Sequence, residues 1–191
     1  MVGAGTANGT WTATVTAQDL CNTATESFTL CVNKDQVTGL VQSEGFIGGS
    51  RVVTFVATGG AMTKTWNLTL AFPGDTAPYT LTDVPAGTTH ISAKTAWTLR
   101  EKLPVTFAMG QAVADFIADG TPGWSAATDH YLRGGDLNGN NQITFTDYSI
   151  LGANIFILPT NPAADINGDG FVDIFDYFML AGNWFQAGDA Q

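Results

Sequence analysis

At 191 residues the chain has room for one or two domains of ordinary size. Only 13% of its residues are charged, the net charge is -10, and the seven Lys and Arg are scattered singly. That distribution excludes the basic patch that nucleic acid or an anionic membrane surface would require, and no apolar run approaches the ~20 residues of a membrane span.

The chain opens without a basic segment and apolar run after Met1, so no signal peptide is legible; either it has been removed or the chain is a piece of something longer. From Gly9 to Ala17, Thr alternates with Trp11, Ala13, Val15 and Ala17, a period of two that predicts a strand with one apolar face. A turn over Gln18–Glu26 leads to a second alternating stretch, Ser27–Val32. The two cysteines, Cys21 and Cys31, fall here, without the spacing of a zinc site; they form a disulfide or remain two thiols. The pattern resembles the last two strands of a bacterial immunoglobulin-like extracellular repeat. Two strands are marginal alone in water. Residues 1–33 are therefore the tail of a truncated domain, a hairpin packed on its own chain, or strands donated to a neighbouring copy.

Seven further strands are expected in residues 34–118: Val37–Gln42, Arg51–Thr58, Thr63–Phe72, Ala77–Val84, Thr88–Thr95, Thr98–Thr106 and Gln111–Ala118. Their spacing, punctuated by Gly and Pro turns, predicts a β-sandwich. The run from Tyr79 to Ile91, with its Val84-Pro-Ala-Gly87 turn, resembles the hairpin of prealbumin-like or carboxypeptidase-regulatory-like domains of secreted bacterial proteins, which implies a spacer. Residues 119–135 have the composition of a linker, with Trp124, Tyr131 and Leu132 available to dock it on a neighbour.

The most informative stretch is duplicated. Residues 136–147 and, 29 positions later, 165–176 carry oxygen side chains at loop positions 1, 3, 5, 9 and 12, the ligand spacing of an EF-hand-type calcium loop, with the backbone carbonyl of position 7 completing the set. In the first loop the candidates are Asp136, Asn138, Asn140, Gln142, Thr144 and Asp147; in the second, Asp165, Asn167, Asp169, Phe171, Asp173 and Asp176. The sets are unequal, since loop 1 has two carboxylates and loop 2 has four. Two Ca2+ ions are expected, with loop 1 the weaker site. Asn141 replaces the Gly170 of loop 2 at position 6, a substitution that the left-handed conformation tolerates. Each loop is followed by apolar residues at helical spacing, from Phe145 and from Ile174, and the offset of 29 also aligns Tyr148 with Tyr177, Leu151 with Leu180, Asn154 with Asn183 and Phe156 with Phe185. No helix is expected before either loop.

Duplicated calcium loops with exiting helices only, and Asp at position 12, resemble a dockerin module over residues 135–186. The resemblance implies structural calcium and a cohesin-like partner that reads loop positions 10 and 11 and the helices. Those positions hold Phe145, Thr146, Ile174 and Phe175 where cellulosomal dockerins carry Ser/Thr pairs, and the helices are apolar enough to need cover from the sandwich, a cohesin or a neighbouring copy.

No catalytic motif is present, and His90 and His130 are the only histidines. The fold expected is mainly β with a small α C-terminal module: an incomplete N-terminal segment (1–33), a β-sandwich (34–118), a linker (119–135) and a dockerin-like calcium module (136–191). The chain reads as a non-catalytic, extracellular assembly protein of a bacterial cell surface, polymerising head-to-tail through its N-terminal strands. The alternative is the C-terminal part of a secreted carbohydrate-active enzyme anchored to a cohesin-bearing scaffold. A sugar platform of Trp66 and Trp97 is a weaker third reading.

Overall fold

The computed structural model describes residues 9–18, 23–32, 35–120, 128–157, 162 and 164–191, with backbone pairing alone for the first two stretches. The two alternating N-terminal segments form β1 (Gly9–Gln18) and β2 (Thr23–Val32), antiparallel, with Trp11 opposite Leu30 and Ala13 opposite Phe28. Pairing runs through to Gln18 and Thr23, so both strands extend into the stretch expected to be the turn. Among the described residues these strands pair only with each other. Whether Cys21 and Cys31 are joined lies outside the described residues.

A strand forms at each of the seven expected places, the last three shorter than expected: β3 (Asp35–Gln42), β4 (Gly49–Thr58), β5 (Lys64–Phe72), β6 (Thr76–Val84), β7 (His90–Lys94), β8 (Glu101–Pro104) and β9 (Gln111–Val113). They make two sheets, ordered β6-β3-β9 and β5-β4-β7-β8, with β3 and β9 parallel and the other neighbours antiparallel. Inward residues from both sheets meet in one core: Val37 and Val41, Val53 and Phe55, Tyr79 and Leu81, Ile91 and Ala93. Phe55 and Tyr79 stack across it with centroids 4.3 Å apart. One expectation changes. The strands flanking Val84-Pro-Ala-Gly87 are not a hairpin, because β6 pairs with β3 and β7 with β4 and β8; the turn carries the chain from one sheet to the other.

The segment with linker composition is held on both sides where it is described. Leu132 is fully buried in the sandwich core. Its N–H donates to the Gln42 carbonyl and its carbonyl accepts from Glu44 (2.9 and 3.0 Å), while Leu99 donates to the Arg133 carbonyl at 2.8 Å. The chain thus enters the C-terminal module already bonded to the end of β3 and to the connection between β7 and β8.

That module contains α1 (Phe145–Gly152) and α2 (Ile174–Gly182). Both are shorter than the apolar periodicity implied. Each ends at a glycine, and the following Phe156 and Phe185 take φ of +58° and +61°, which reverses the chain where a further helical turn was expected. A second core gathers Ile143, Leu151, Ala164, Ile166, Val172 and Leu180, and the sandwich contributes Leu99 to it. The C-terminal tail closes the arrangement: Asp189 donates its N–H to the Arg100 carbonyl and accepts, on its carboxylate, the N–H of Lys102 in β8. Among the described residues no helix is long and apolar enough to cross a membrane.

Candidate metal centre and docking face

Loop positions 9 and 12 double as a helix start. Thr144 is the N-cap of α1 and Asp147 its third residue, and the two form a capping box; Asp173 and Asp176 do the same for α2. Each position-12 carboxylate also reaches back to the loop entrance. Asp147 accepts the N–H groups of Leu137, Asn138 and Thr144 at 2.9–3.1 Å. Asp176 accepts those of Ile166, Asn167 and Asp173 at 2.7–3.2 Å. These two buried aspartates fix the loop backbones. Burial raises the Asp176 carboxyl above the usual range; the three N–H groups oppose the shift and the charge of Asp165 adds to it. A divalent cation in the loop would reverse that balance.

The remaining acidic and amide side chains follow the same twofold scheme. Asn138 and Asn140 accept from the N–H groups two residues on, of Asn140 and Gln142 (both 2.9 Å), and Asn167 and Asp169 from those of Asp169 and Phe171 (2.9 and 2.8 Å). Position 1 ties to position 6: Asp136 accepts the Asn141 N–H at 2.8 Å, Asp165 the Gly170 N–H at 3.0 Å. Asn141 adopts φ +70° and Gly170 +90°, so the asparagine does take the left-handed position. Each of these carboxylates accepts at least one backbone amide, and among the described residues no three Asp, Glu, His or Cys side chains converge. The donor sets are mixed carboxylate, amide, hydroxyl and carbonyl, so convergence of acids alone is not what either loop offers. The pairing of the repeats is reciprocal: Phe156 donates to the Val172 carbonyl and Phe185 to the Ile143 carbonyl.

The sandwich sends a cation to each loop. Arg51, on the inward face of β4, lies between the rings of Phe46 (3.8 Å from its centroid) and Trp97 (4.6 Å) and donates to the carbonyl of Ile166. Burial lowers its pKa to about 10, while Asp165 and Asp176 oppose the shift, so it remains charged at neutral pH. Lys94, at the end of β7, pairs with Asp136. Glu44 accepts on one oxygen the Gly134 N–H (2.9 Å) and the Asn183 amide (2.5 Å). A Cβ at Gly168 would lie 2.2 Å from the Phe46 ring, so loop 2 is pressed against the sandwich where only glycine fits.

The opposite side of the module is bare. Phe145, Tyr148, Phe171, Phe175, Phe178 and Phe185 are exposed, Phe145 by 66%. An open groove of about 470 Å³ runs between the helices, lined by Phe145, Tyr148, Tyr177, Ala181 and Trp184. Of the three covers weighed for these helices, the chain's own sandwich is not the one used here.

Residues 134–183 match the dockerin type I family. This segment is a dockerin domain. Such domains bind calcium and are not catalytic. The chain is also similar in fold to one chain of the crystal structure of a type II cohesin–X–dockerin complex from Acetivibrio cellulolyticus, described as an N-terminal interface mutant. The identity is 14%, the TM-score 0.54, and the likeness covers 81% of this chain and 97% of that one. It therefore extends well beyond the dockerin segment and includes the sandwich. No curated protein matches.

The loops fit calcium on the chemistry of their oxygen donors and on one further atom: Oδ1 of Asp136 is buried and accepts no hydrogen bond. A buried carboxylate oxygen without a partner is costly unless an ion takes it. The sequence did not single out Arg51, Lys94, Glu44 or the Arg100 backbone as parts of this region. Arg51 carried a signal, since it is a charged residue in phase with Val53 and Phe55 on an apolar strand face. Trp66 and Trp97 each have a cation over the ring: Lys64 over the first, at 4.7 Å, and Arg51 over the second. His90 bonds to the Thr89 hydroxyl at the start of β7.

Proposed function

We propose that this chain is a non-catalytic, extracellular assembly protein whose dockerin module binds two calcium ions and docks on a cohesin-type partner, with the sandwich as its fixed base. Asp136, Asn138, Asn140, Thr144 and Asp147, with the Gln142 carbonyl, would hold one ion; Asp165, Asn167, Asp169, Asp173 and Asp176, with the Phe171 carbonyl, the other. The observation that carries the reading is the bare aromatic face on the helices, which the chain's own sandwich leaves uncovered while it grips the other side of the module. Apolar surface of that extent marks an interaction site. The neighbour in fold comes from a cohesin–X–dockerin complex, which supports a cohesin as the partner over a second copy of this chain.

The division of the chain expected from the sequence fits this role, with residues 1–33 as a hairpin unit or as donated strands. Anchoring of a secreted, carbohydrate-active protein at a bacterial surface is favoured over head-to-tail filaments, for which the N-terminal hairpin is the sole motive. The test is size-exclusion chromatography of the chain with a panel of cohesins, in calcium and in chelator. Calcium-dependent co-elution with a cohesin is expected; self-association into fibres under the microscope, with no cohesin bound, would overturn the reading.

A further inference from the structure

Lys94 pairs with a loop from outside the dockerin segment. Its ammonium donates to Oδ2 of Asp136 and, at 2.7 Å, to the Thr98 carbonyl. Its side chain is 12% exposed and that of Asp136 is fully buried, so solvent screens the pair weakly. The oxygen it holds is the one that accepts the Asn141 N–H and closes position 1 on position 6. The other oxygen is the buried, unpartnered Oδ1. Loop 2 is built differently. Both oxygens of Asp165 are taken by backbone N–H groups, of Gly168 and Gly170, and the sandwich cation there donates to main-chain carbonyls.

We propose that Lys94 is the resident cation of loop 1. It holds Asp136 in place so that the loop keeps its fold without metal, and its charge lowers that loop's affinity for calcium. The proposal rests on the calcium reading above. Two effects give it its sign. An ammonium beside the site repels a divalent ion, and a buried position damps that repulsion less than bulk water does. The same ammonium stabilises the metal-free loop by pairing a carboxylate that would otherwise be buried alone. Anything that favours the metal-free state over the loaded one weakens binding by the same factor. Loss of Lys94 also loosens Asp136, an effect of opposite sign, but the Asn141 N–H still bonds the same oxygen and limits it.

The experiment uses the full chain, stripped with chelator and titrated with calcium chloride. Backbone amide NMR reads the loops separately, Gly139 for loop 1 and Gly168 for loop 2, and thermal melting follows the stripped protein. Lys94→Met is expected to bind calcium about tenfold more tightly at loop 1, with loop 2 unchanged and a lower melting temperature without metal. Lys94→Arg, which keeps the charge, is expected to behave as wild type. Should stripped Lys94→Met be unfolded, Lys94→Gln keeps a donor to Asp136 without the charge, and its loop 1 must also bind more tightly than wild type. Wild-type or weaker affinity at loop 1 in the uncharged variants overturns the inference alone. A wild-type chain that takes no calcium at either loop overturns the calcium reading, and this inference with it.

Discussion

Phe156 and Phe185 stand at equivalent places in the two repeats, both in the left-handed region, and each donates its backbone N–H to the opposite loop at 2.9–3.0 Å. Bulky residues rarely adopt this conformation, which costs roughly 1–2 kcal/mol. The two ties therefore work against a local preference, and the reciprocal bonds to Val172 and Ile143 are what the strain secures. Because the Phe156 side chain is 75% exposed, backbone and side chain can be tested apart. Phe156→Ala is expected to change stability by less than about 1 kcal/mol. Phe156→Pro, which removes the N–H and forces φ negative, is expected to cost at least about 3 kcal/mol. Denaturant unfolding in calcium checks both; equal effects would show that the tie to Val172 is dispensable.

Arg51 joins three kinds of contact in one side chain: two aromatic faces, the Ser43 hydroxyl at 3.3 Å and the Ile166 carbonyl of loop 2. Arg51→Ala is expected to destabilise the chain by about 2–4 kcal/mol, through an unsatisfied carbonyl and lost ring contacts. Arg51→Lys restores the charge but not the planar group that fits between Phe46 and Trp97, so it should recover less than half of the loss. Recovery by lysine to wild-type stability would mean that charge alone matters at this position.

Much of this architecture was legible because local signals agreed with one another. The sandwich strands announced themselves by alternation and turn residues, and the calcium loops by a spacing that also writes a capping box, so Thr144 and Asp147, or Asp173 and Asp176, point to the same helix start twice. What escaped was long-range. The Val84–Gly87 turn reads as a hairpin by local chemistry, yet its strands go to opposite sheets, since pairing partners are chosen by distant residues. Residues 128–135 have the composition of a linker, and Leu132 was legible as a docking residue, but not that it would enter the sandwich core beside Gln42 and Glu44. Lys94 and Glu44 meet loop 1 and the helix end across more than 40 and 130 positions respectively, separations at which no periodicity gives warning.

Glu44 makes stability depend on pH in an unusual direction. Burial raises its pKa above the ordinary 4.5, with the bonds from Gly134 and Asn183 and the charge of Arg133 opposing. Between the ordinary value and the raised one, the native state binds more protons than the unfolded state, so the contribution of this group falls as pH rises through that window. Glu44→Gln keeps an oxygen to accept both bonds, which converge on a single atom, and buries no charge. It is expected to equal or exceed wild type in stability at pH 7 and to lose its advantage as pH falls below the window. Thermal melts of both proteins from pH 4 to 7 would decide this; a deficit of the variant that is constant with pH would overturn it.

Asn141 does two things that glycine in loop 2 does not. It takes φ +70°, and its side chain accepts the Arg100 N–H at 2.7 Å and donates to the Asp189 carbonyl at 3.0 Å. Asn141→Gly is expected to keep the conformation and lose the two bonds, at about 1–2 kcal/mol. Asn141→Ala loses the bonds and adds left-handed strain, for about 1 kcal/mol more. The order wild type, Gly, Ala in unfolding free energy is the check. If Gly matches wild type, the amide is an incidental contact and the conformation is the whole reason for the residue.

The bare aromatic face separates binding from folding. Phe175 and Phe178 project from α2 with about 60% of each exposed, and neither belongs to the module's core. Replacing both by Ser should leave the calcium-loaded melting temperature nearly unchanged, since surface substitutions are usually within about 0.5 kcal/mol. Desolvated aromatic anchors at the centre of an interface are each worth about 2 kcal/mol or more, so the pair should weaken partner binding by roughly three orders of magnitude. Leu180→Ala supplies the opposite case: it is fully buried between the two loops' apolar residues, so it should cost about 2–5 kcal/mol of stability and weaken binding only where the module has begun to unfold. Titration calorimetry against a cohesin, paired with melts of the same samples, distinguishes the two. A double serine variant that binds as well as wild type would move the docking surface off the helices and onto the sandwich.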